Sequence, residues 1–326
     1  MASFDLKEAA QLLADELEQQ KFGEAPETLY APLRYILSLG GKRLRPALTL
    51  LGCYLFDDDY KKAIDPAIGV EVFHNFTLMH DDIMDEAPLR RGKMTVHEKW
   101  NSNVAILSGD VMFVRSYEYI SNVEDKILRQ ALALFNKCAA EVCEGQQFDM
   151  DFEERETVGE EEYIEMIRLK TAVLIGFALR LGALIGGATD EQSKVVEEFG
   201  VNVGLGFQLK DDILDVYADQ DKFGKQVGGD IISNKKTLML IKALKQAEGA
   251  DAVELQNWLE AKDFDKEEKV AAVTDIYNRL GIREMATEKS NEYFTKGFAA
   301  LENLDVSEDR KNLLKEFGVY LQNRDH

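Results

Sequence analysis

The feature that most constrains this chain is apolar periodicity at helical spacing, repeated from one end to the other with few breaks. In "PETLYAPLRYILSLGG", Leu29, Leu33, Ile36 and Leu37 fall on one stripe, and Gly40-Gly41 supplies the stop. "RPALTLLGCYLF" opens on Pro46 near a helix start, where the missing N–H costs little. Further helical runs are expected at about 65–85, 101–121, 124–144, 160–187, 190–219, 234–247, 251–260, 264–282, 283–303 and 307–322. Only five prolines are available to break them. No series of alternating strands, Pro/Ser-rich linker or low-complexity segment is evident. The expectation is an all-α fold, residues 1–326 forming a single domain.

Charge then excludes whole classes of partner. With a net charge of −21 and a pI of about 4.7, the chain lacks the basic face that nucleic-acid binding needs. Local basic clusters such as "GGKRLRP" still allow a small phosphorylated ligand. Cys53, Cys138 and Cys143 form no CxxC pair, and an odd count suits a reducing compartment. "MASFDLKEAAQLLADELEQQ" reads as an amphipathic helix, not a signal peptide. "TAVLIGFALRLGALIGGA" carries Arg180 at its middle and many small residues, so it reads as a buried helix, not a membrane span. A cytoplasmic protein with no integral membrane association is expected. The acidic run 149–162 reads as a solvated connection and 221–236 as a mobile loop.

Two carboxylate clusters stand out from this background. Asp81, Asp82 and Asp85 in "HDDIMD" have spacings i, i+1 and i+4, which on a helix stacks Asp81 over Asp85 with Asp82 beside them. Like charges about 4 Å apart repel by roughly 4 kcal/mol at an effective dielectric near 20, so such a group needs solvent or a cation. Asp211, Asp212 and Asp215 in "KDDILD" repeat the spacing among Val203, Leu205, Phe207, Leu209, Ile213, Leu214 and Val216. A fully solvated face is a poor account of that setting. Two such clusters on facing helices would form a rim of hard oxygen ligands suited to Mg²⁺, which completes its octahedron with water and phosphate oxygens. Zinc would want His or Cys, and neither is paired here. Lys42, Arg43, Arg45, Arg90, Arg91, Lys170, Lys210, Lys225, Lys235 and Lys236 supply the complementary charge for a diphosphate. No GxxxxGK[ST] occurs, which disfavours a P-loop NTPase.

Taken in order, "GGKRLRP", "HDDIMD…LRRG", "GDVMF", "LKT", "GFQLKDDILD" and "GKQVGGDIISNKKT" resemble the trans-isoprenyl diphosphate synthases, or polyprenyl synthetases, of short-chain type. The resemblance spans residues from about 30 to 240. It implies an orthogonal helical bundle around a deep central cavity, usually a homodimer, that condenses isopentenyl diphosphate with an allylic diphosphate. By the same resemblance, Asp81, Asp85 and Asp211 ligate Mg²⁺, three ions per active site with substrate bound, supported by Asp82, Asp212 and Asp215. Arg90, Lys170, Lys235 and Lys225 would hold the allylic diphosphate. Thr171 and Gln208 would turn oxygen dipoles towards the allylic cation. Lys42, Arg45, His74 and Arg91 would hold isopentenyl diphosphate. One departure is Met239, where the family often has proline.

Product length follows from the first cluster. Residues before Asp81 lie deeper along the helix, and a turn of about 5.4 Å is close to one isoprene unit. Phe76 lies five residues before Asp81 and Phe73 three earlier, and the resemblance makes a bulky residue at the first position a floor. Thr77 is not aromatic and no two-residue insertion occurs in the cluster. The expected product is therefore C15 to C20, nearer C20. Two rivals remain at this stage. A class I terpene cyclase would not consume isopentenyl diphosphate, and a non-catalytic partner subunit commonly loses one aspartate cluster.

Overall fold

A computed structural model describes residues 4–218 and 228–324. Its helices cover nearly all of the expected runs, and the all-α expectation holds. The contacts group the chain into two compact units, and each is taken by itself. The first comprises Met1–Ala139, Ile175–Glu197 and Asp305–Arg310; the second comprises Ala140–Leu174, Glu198–Leu304 and Lys311–His326.

In the first unit, α1 (Leu6–Gln19) starts where the Asp5 carboxylate accepts from the backbone N–H groups of Lys7 and Glu8, at 2.7 and 2.9 Å. Its buried residues Ala9, Leu13 and Leu17 recur every four. After α2 (Glu27–Ser38) and α3 (Leu44–Tyr54) comes α4 (Ile64–Met84), the long helix that ends in the first aspartate cluster. It is apolar on nearly every side, as a helix enclosed by neighbours must be. Beyond the short α5 (Val96–Lys99), α4 packs mainly on α6 (Ser102–Ile120). Gly69 permits that approach, since a β-carbon there would come within 2.7 Å of Ile120 Cγ1.

The α7 helix (Asp125–Glu154) runs ten residues past the expected end at 144. Only residues 155–159 of the acidic run are a connection; 149–154 are helix, and 160–162 open α8 (Glu160–Ile167). The expected single helix 160–187 is interrupted by a π-helical turn, Arg168–Ala172, before α9 (Val173–Gly186). The stretch Glu160–Gly186 is long and apolar enough to cross a membrane, yet 78% of its most apolar window is buried inside the protein. Small residues explain the burial: β-carbons at Gly182 and Gly186 would collide with the α3 backbone at Thr49 and Cys53. Arg180, the charge in the middle of α9, pairs with Glu197 and with Asp190, the latter at 2.9 Å.

The second unit is built on the C-terminal part of α10 (Asp190–Tyr217). Around it lie a one-turn helix α11 (Gly229–Ile232), α12 (Leu238–Gln246), α13 (Gly249–Glu260), α14 (Lys266–Arg279), α15 (Ile282–Ala300) and α16 (Glu308–Gln322). Leu209, Ile213, Val216, Leu238, Ile276 and Tyr277 share its core. Met239 is buried in the first turn of α12, so replacing the family's usual proline leaves the helix start intact. The expected loop 221–236 falls partly outside the described residues, and its described part contains α11.

One feature escapes helical patterning altogether. Leu89–Arg90 and Lys93–Met94 form a two-stranded hairpin, in register Leu89↔Met94 and Arg90↔Lys93. Its loop residues Arg91 and Gly92 have φ of 53° and 73°, the pair of positive values that a type I′ turn requires.

Candidate active site

The hairpin decides where the two adjacent arginines go. Arg90, on a strand, returns to the end of α4: its Nε lies 2.8 and 2.9 Å from the two carboxylate oxygens of Asp82, and its Nη2 lies 3.4 Å from Asp81. Arg91, in the turn, points instead to the Gly40-Gly41 loop, where its guanidinium donates to the Gly40 carbonyl. A β-carbon at Gly41 would sit 2.8 Å from that guanidinium, so glycine is needed for the fit. Thr95 fastens the hairpin base, donating from Oγ1 to the Ala87 carbonyl at 2.7 Å.

Within the first cluster the three aspartates take different parts. The Asp85 N–H donates to the Asp81 carbonyl at 2.9 Å, so the last turn of α4 keeps these two side chains on one face. Asp85 is exposed and Asp81 half-buried, whereas Asp82 is buried under Arg90. Burial pushes the Asp82 carboxyl above its ordinary range, against the pull of Arg90. Asp82 therefore anchors the arginine, while Asp81 and Asp85 lie less deeply buried on the same face of the last turn.

The Gly40 loop owes its shape to Arg43, which adopts φ of 47° at the start of α3. Its guanidinium pairs with Glu71 of α4 and donates to the Leu37 carbonyl at 2.6 Å. Asn75 donates to the same Glu71 carboxylate at 2.8 Å. The pair is deeply buried, with side chains 8% and 5% exposed. Arg43 is thus structural, while Lys42 stays exposed and Arg45 turns inward, its Nη1 3.2 Å from His74 Nε2. Burial, with Arg45, Arg91, Arg90 and Arg43 around it, holds His74 well below the ordinary imidazole range, so the ring is neutral. Removing one partner of a buried ion pair strands the other and costs about 3–5 kcal/mol. Glu71→Ala should lose that much stability in urea unfolding; a loss below about 1 kcal/mol would show that Arg43 finds other acceptors.

The second unit carries the second set. Asp212 is buried, accepting from the Tyr163 hydroxyl and from Gln208 Nε2 at 3.1 Å. Burial pushes its carboxyl up to about 6, against those two hydrogen bonds. Thr171 donates from Oγ1 to Gln208 Oε1 at 3.1 Å. Thr171 stands in the π turn, and Gly145 lets α7 lie against the Lys170 backbone there. Such turns are frequent at functional sites. Asp215 accepts from the Asp230 N–H at 2.9 Å. Burial, together with Asp212 and Asp215, pushes Asp230 up to about 7. Asp211 pairs with Arg324 at 2.7 Å, and that guanidinium also lies over the Phe207 ring at 5.2 Å.

Lys170 and Lys235 meet at a residue the sequence pattern hides. Asp149 of α7 is buried, 2.7 Å from the Lys170 Nζ and 3.6 Å from the Lys235 Nζ. Burial raises its carboxyl, but Lys235 and Lys170 outweigh that and hold it below the ordinary range. Buried Lys269 of α14 steadies the segment before Lys235, donating to Asn234 Oδ1 at 2.7 Å. Among the sequence-expected groups, Lys225 lies outside the described residues. Asp149, Tyr163, Asp230 and Arg324 are additions that only the three-dimensional arrangement provides.

The donor set suits a magnesium-like ion. Among the described residues no three His, Cys, Asp or Glu side chains converge on a closed metal site. What they offer is a stacked carboxylate pair at Asp81 and Asp85 and a single carboxylate at Asp211. Two of these already attract a cationic side chain, Arg90 and Arg324. A hard cation that accepts one or two carboxylates and takes its other oxygens from water and phosphate fits such positions.

The fold and these groups define an all-helical enzyme for a phosphate-bearing substrate: hard oxygen ligands for a divalent ion, and gathered cations for an anion. The polyprenyl synthetase family model matches residues 26–277. The chain is 40% identical to the geranylgeranyl pyrophosphate synthase of Geoglobus acetivorans, over 100% of both chains. A crystal structure of a geranylgeranyl pyrophosphate synthase, 41% identical, matches 99% of this chain and 100% of its own with a TM-score of 0.94. The Corynebacterium glutamicum geranylgeranyl pyrophosphate synthase, solved with isoprenyl diphosphate and magnesium, is 25% identical and covers 98% of this chain and 100% of its own, TM-score 0.87. This chain belongs to the polyprenyl synthetase family and is a prenyltransferase of its short-chain, trans type.

Proposed function

We propose that the protein joins isopentenyl diphosphate to an allylic diphosphate, giving a trans-prenyl diphosphate of C15 to C20, nearest C20, and releasing diphosphate. The observation that carries this reading is the divergence of Arg90 and Arg91 on one hairpin. Arg90 attends the aspartates, while Arg91 donates to the Gly40 carbonyl and, with Arg45, adds positive charge around neutral His74. Adjacent arginines engaged on different partners suit two diphosphate substrates, as condensation needs and cyclisation does not.

In this reading Asp81, Asp85 and Asp211 hold magnesium, three ions with substrate present, and Asp82, Asp212 and Asp215 support them. When bound there, magnesium would supply the positive charge that neutralises a departing diphosphate and so favours ionisation. Arg90, Lys170, Lys235 and Lys225 bind the allylic diphosphate, and Asp149 keeps Lys170 and Lys235 together until it arrives. As the allylic C–O bond breaks, its electron pair leaves with diphosphate. The oxygens of Thr171 and Gln208 face the cation that forms. Lys42, Arg45, His74 and Arg91 orient isopentenyl diphosphate, whose π electrons form the new C–C bond. A proton then leaves the adjacent carbon for the released diphosphate. His74 acts as a neutral hydrogen-bonding partner among cations, which a protonated ring could not do without repulsion. We assign residues 1–326 as one prenyltransferase domain, working as a cytoplasmic homodimer, on the strength of family membership.

The direct test is incubation of the purified protein with Mg²⁺, isopentenyl diphosphate and each short allylic diphosphate, followed by chain-length analysis. A product centred on C20 is expected. No elongation from any primer would overturn the reading.

A further inference from the structure

Tyr163 is fully buried on α8, with its hydroxyl donated to Asp212. It begins a directed chain of hydrogen bonds. Tyr163 donates to one oxygen of Asp212, and Gln208 donates from Nε2 to the other at 3.1 Å. The Gln208 amide nitrogen being engaged there, Oε1 turns the opposite way and accepts from Thr171 Oγ1 at 3.1 Å. A threonine hydroxyl has one proton, so spending it on Gln208 leaves the Thr171 oxygen with only lone pairs to present. Every link has a single direction. Tyr163 occupies one side of the carboxylate, and Gln208 must present nitrogen to the other.

We propose that Tyr163 is a positioning residue for the prenyl-transfer step: by holding Asp212 it fixes the orientation of the Gln208 amide and, through it, of the Thr171 hydroxyl. This rests on the reading above that these two oxygens face the allylic cation. Without the phenol, Asp212 is free to rotate about its own side-chain torsion, and the Gln208 amide loses the neighbour that specifies nitrogen over oxygen. A flipped amide would turn N–H donors towards a developing positive charge, which opposes its formation. Orientation of this kind acts on the transition state and leaves diphosphate affinity alone.

The test is a cycle of Tyr163→Phe, Gln208→Leu and the double variant. Phenylalanine keeps the ring and removes only the hydroxyl. Tyr163→Phe is expected to lower kcat about tenfold, the scale of one hydrogen bond, with KM for both substrates within about twofold. In the Gln208→Leu background the same change should have no further effect on kcat, because the group it orients is gone. Multiplicative losses, an unchanged kcat, or a change confined to KM would each overturn the role of Tyr163. A Gln208→Leu protein with wild-type kcat would instead sink the catalytic reading of Gln208 on which the inference rests. Should Tyr163→Phe be too unstable to assay, the ¹⁵N side-chain amide signal of Gln208, assigned by its loss in Gln208→Leu, gives the answer at low temperature. A shifted or split signal supports the orienting role, and an unmoved one refutes it.

Discussion

Asp81→Asn should reduce kcat by about 10³-fold while leaving the melting temperature close to that of the parent protein. Removing a single group that stabilises developing charge costs about 10²–10³ in rate, and a carboxylate assigned to a metal stands at the upper end. Stability is spared for a local reason. Asp81 is half-buried, and its contact to Arg90 is longer than that of Asp82, at 3.4 Å. Arg90 keeps its closer grip on Asp82 through Nε at 2.8 and 2.9 Å. The neighbour gives the contrast. Asp82 is buried, so Asp82→Ala strips Arg90 of its main partner and should cost both activity and stability. Steady-state kinetics and thermal melts of the two variants, measured side by side, separate the roles. Equal losses of stability, or an Asp81→Asn protein within tenfold of the parent rate, would mean that the assignments of Asp81 and Asp82 are mistaken.

That distinction between neighbours marks where sequence reading runs out. The crowding of Asp81, Asp82 and Asp85 is legible because like charges at i, i+1 and i+4 on an apolar helix form a local pattern with a local cost. Which of them faces out is settled by Arg90, and its approach depends on a hairpin with strands of two residues, too short for any periodicity to reveal. The run containing Asp149 shows the converse error. Val142, Gly145, Asp149 and Phe152 are all buried and recur at three and four residues, a helical stripe with a carboxylate in it. Composition alone made the acids there look solvated. Only the arrival of Lys170, 21 residues on, and of Lys235 makes burial of Asp149 tolerable.

The same limit hid Tyr163, whose partner Asp212 lies 49 residues away. It also hid the π turn, since one extra residue per turn over five positions barely disturbs a helical hydrophobic pattern. Three of the four non-glycine residues with positive φ, Arg43, Glu86 and Arg91, lie between the Gly40 loop and the hairpin turn. Strained backbone of this kind persists where surroundings over-determine it, and it tends to collect at functional sites. The buried Arg43–Glu71 pair and the Arg91 contact to Gly40 are such constraints.

Phe76→Ala should lengthen the product by at least one isoprene unit, from C20 to C25 and beyond. Phe76 is half-buried, stacked on Phe113 at 5.1 Å with 17° between the rings, and met edge-on by His80 at 4.7 Å. His80 has room because a β-carbon at Gly109 would occupy the place of its ring. Held on both sides by Phe113 and His80, the Phe76 ring would meet a growing chain as a rigid stop in the proposed reading. Phe73 differs: it is wholly buried, tilted against Phe76 at 5.7 Å and packed edge-to-face on Phe135 at 5.1 Å. It belongs to the core first and can meet a chain only after Phe76 has been removed. Each turn of α4 advances about 5.4 Å, roughly one isoprene, so the space vacated by Phe76 admits about one more unit before Phe73 is reached. Phe73→Ala alone should therefore leave the product unchanged while costing about 3–5 kcal/mol of stability. The double variant should extend the product beyond that of Phe76→Ala. Chain-length analysis of the three proteins decides the order of the two rings: a longer product from Phe73→Ala alone, or none from Phe76→Ala, would place the stop elsewhere.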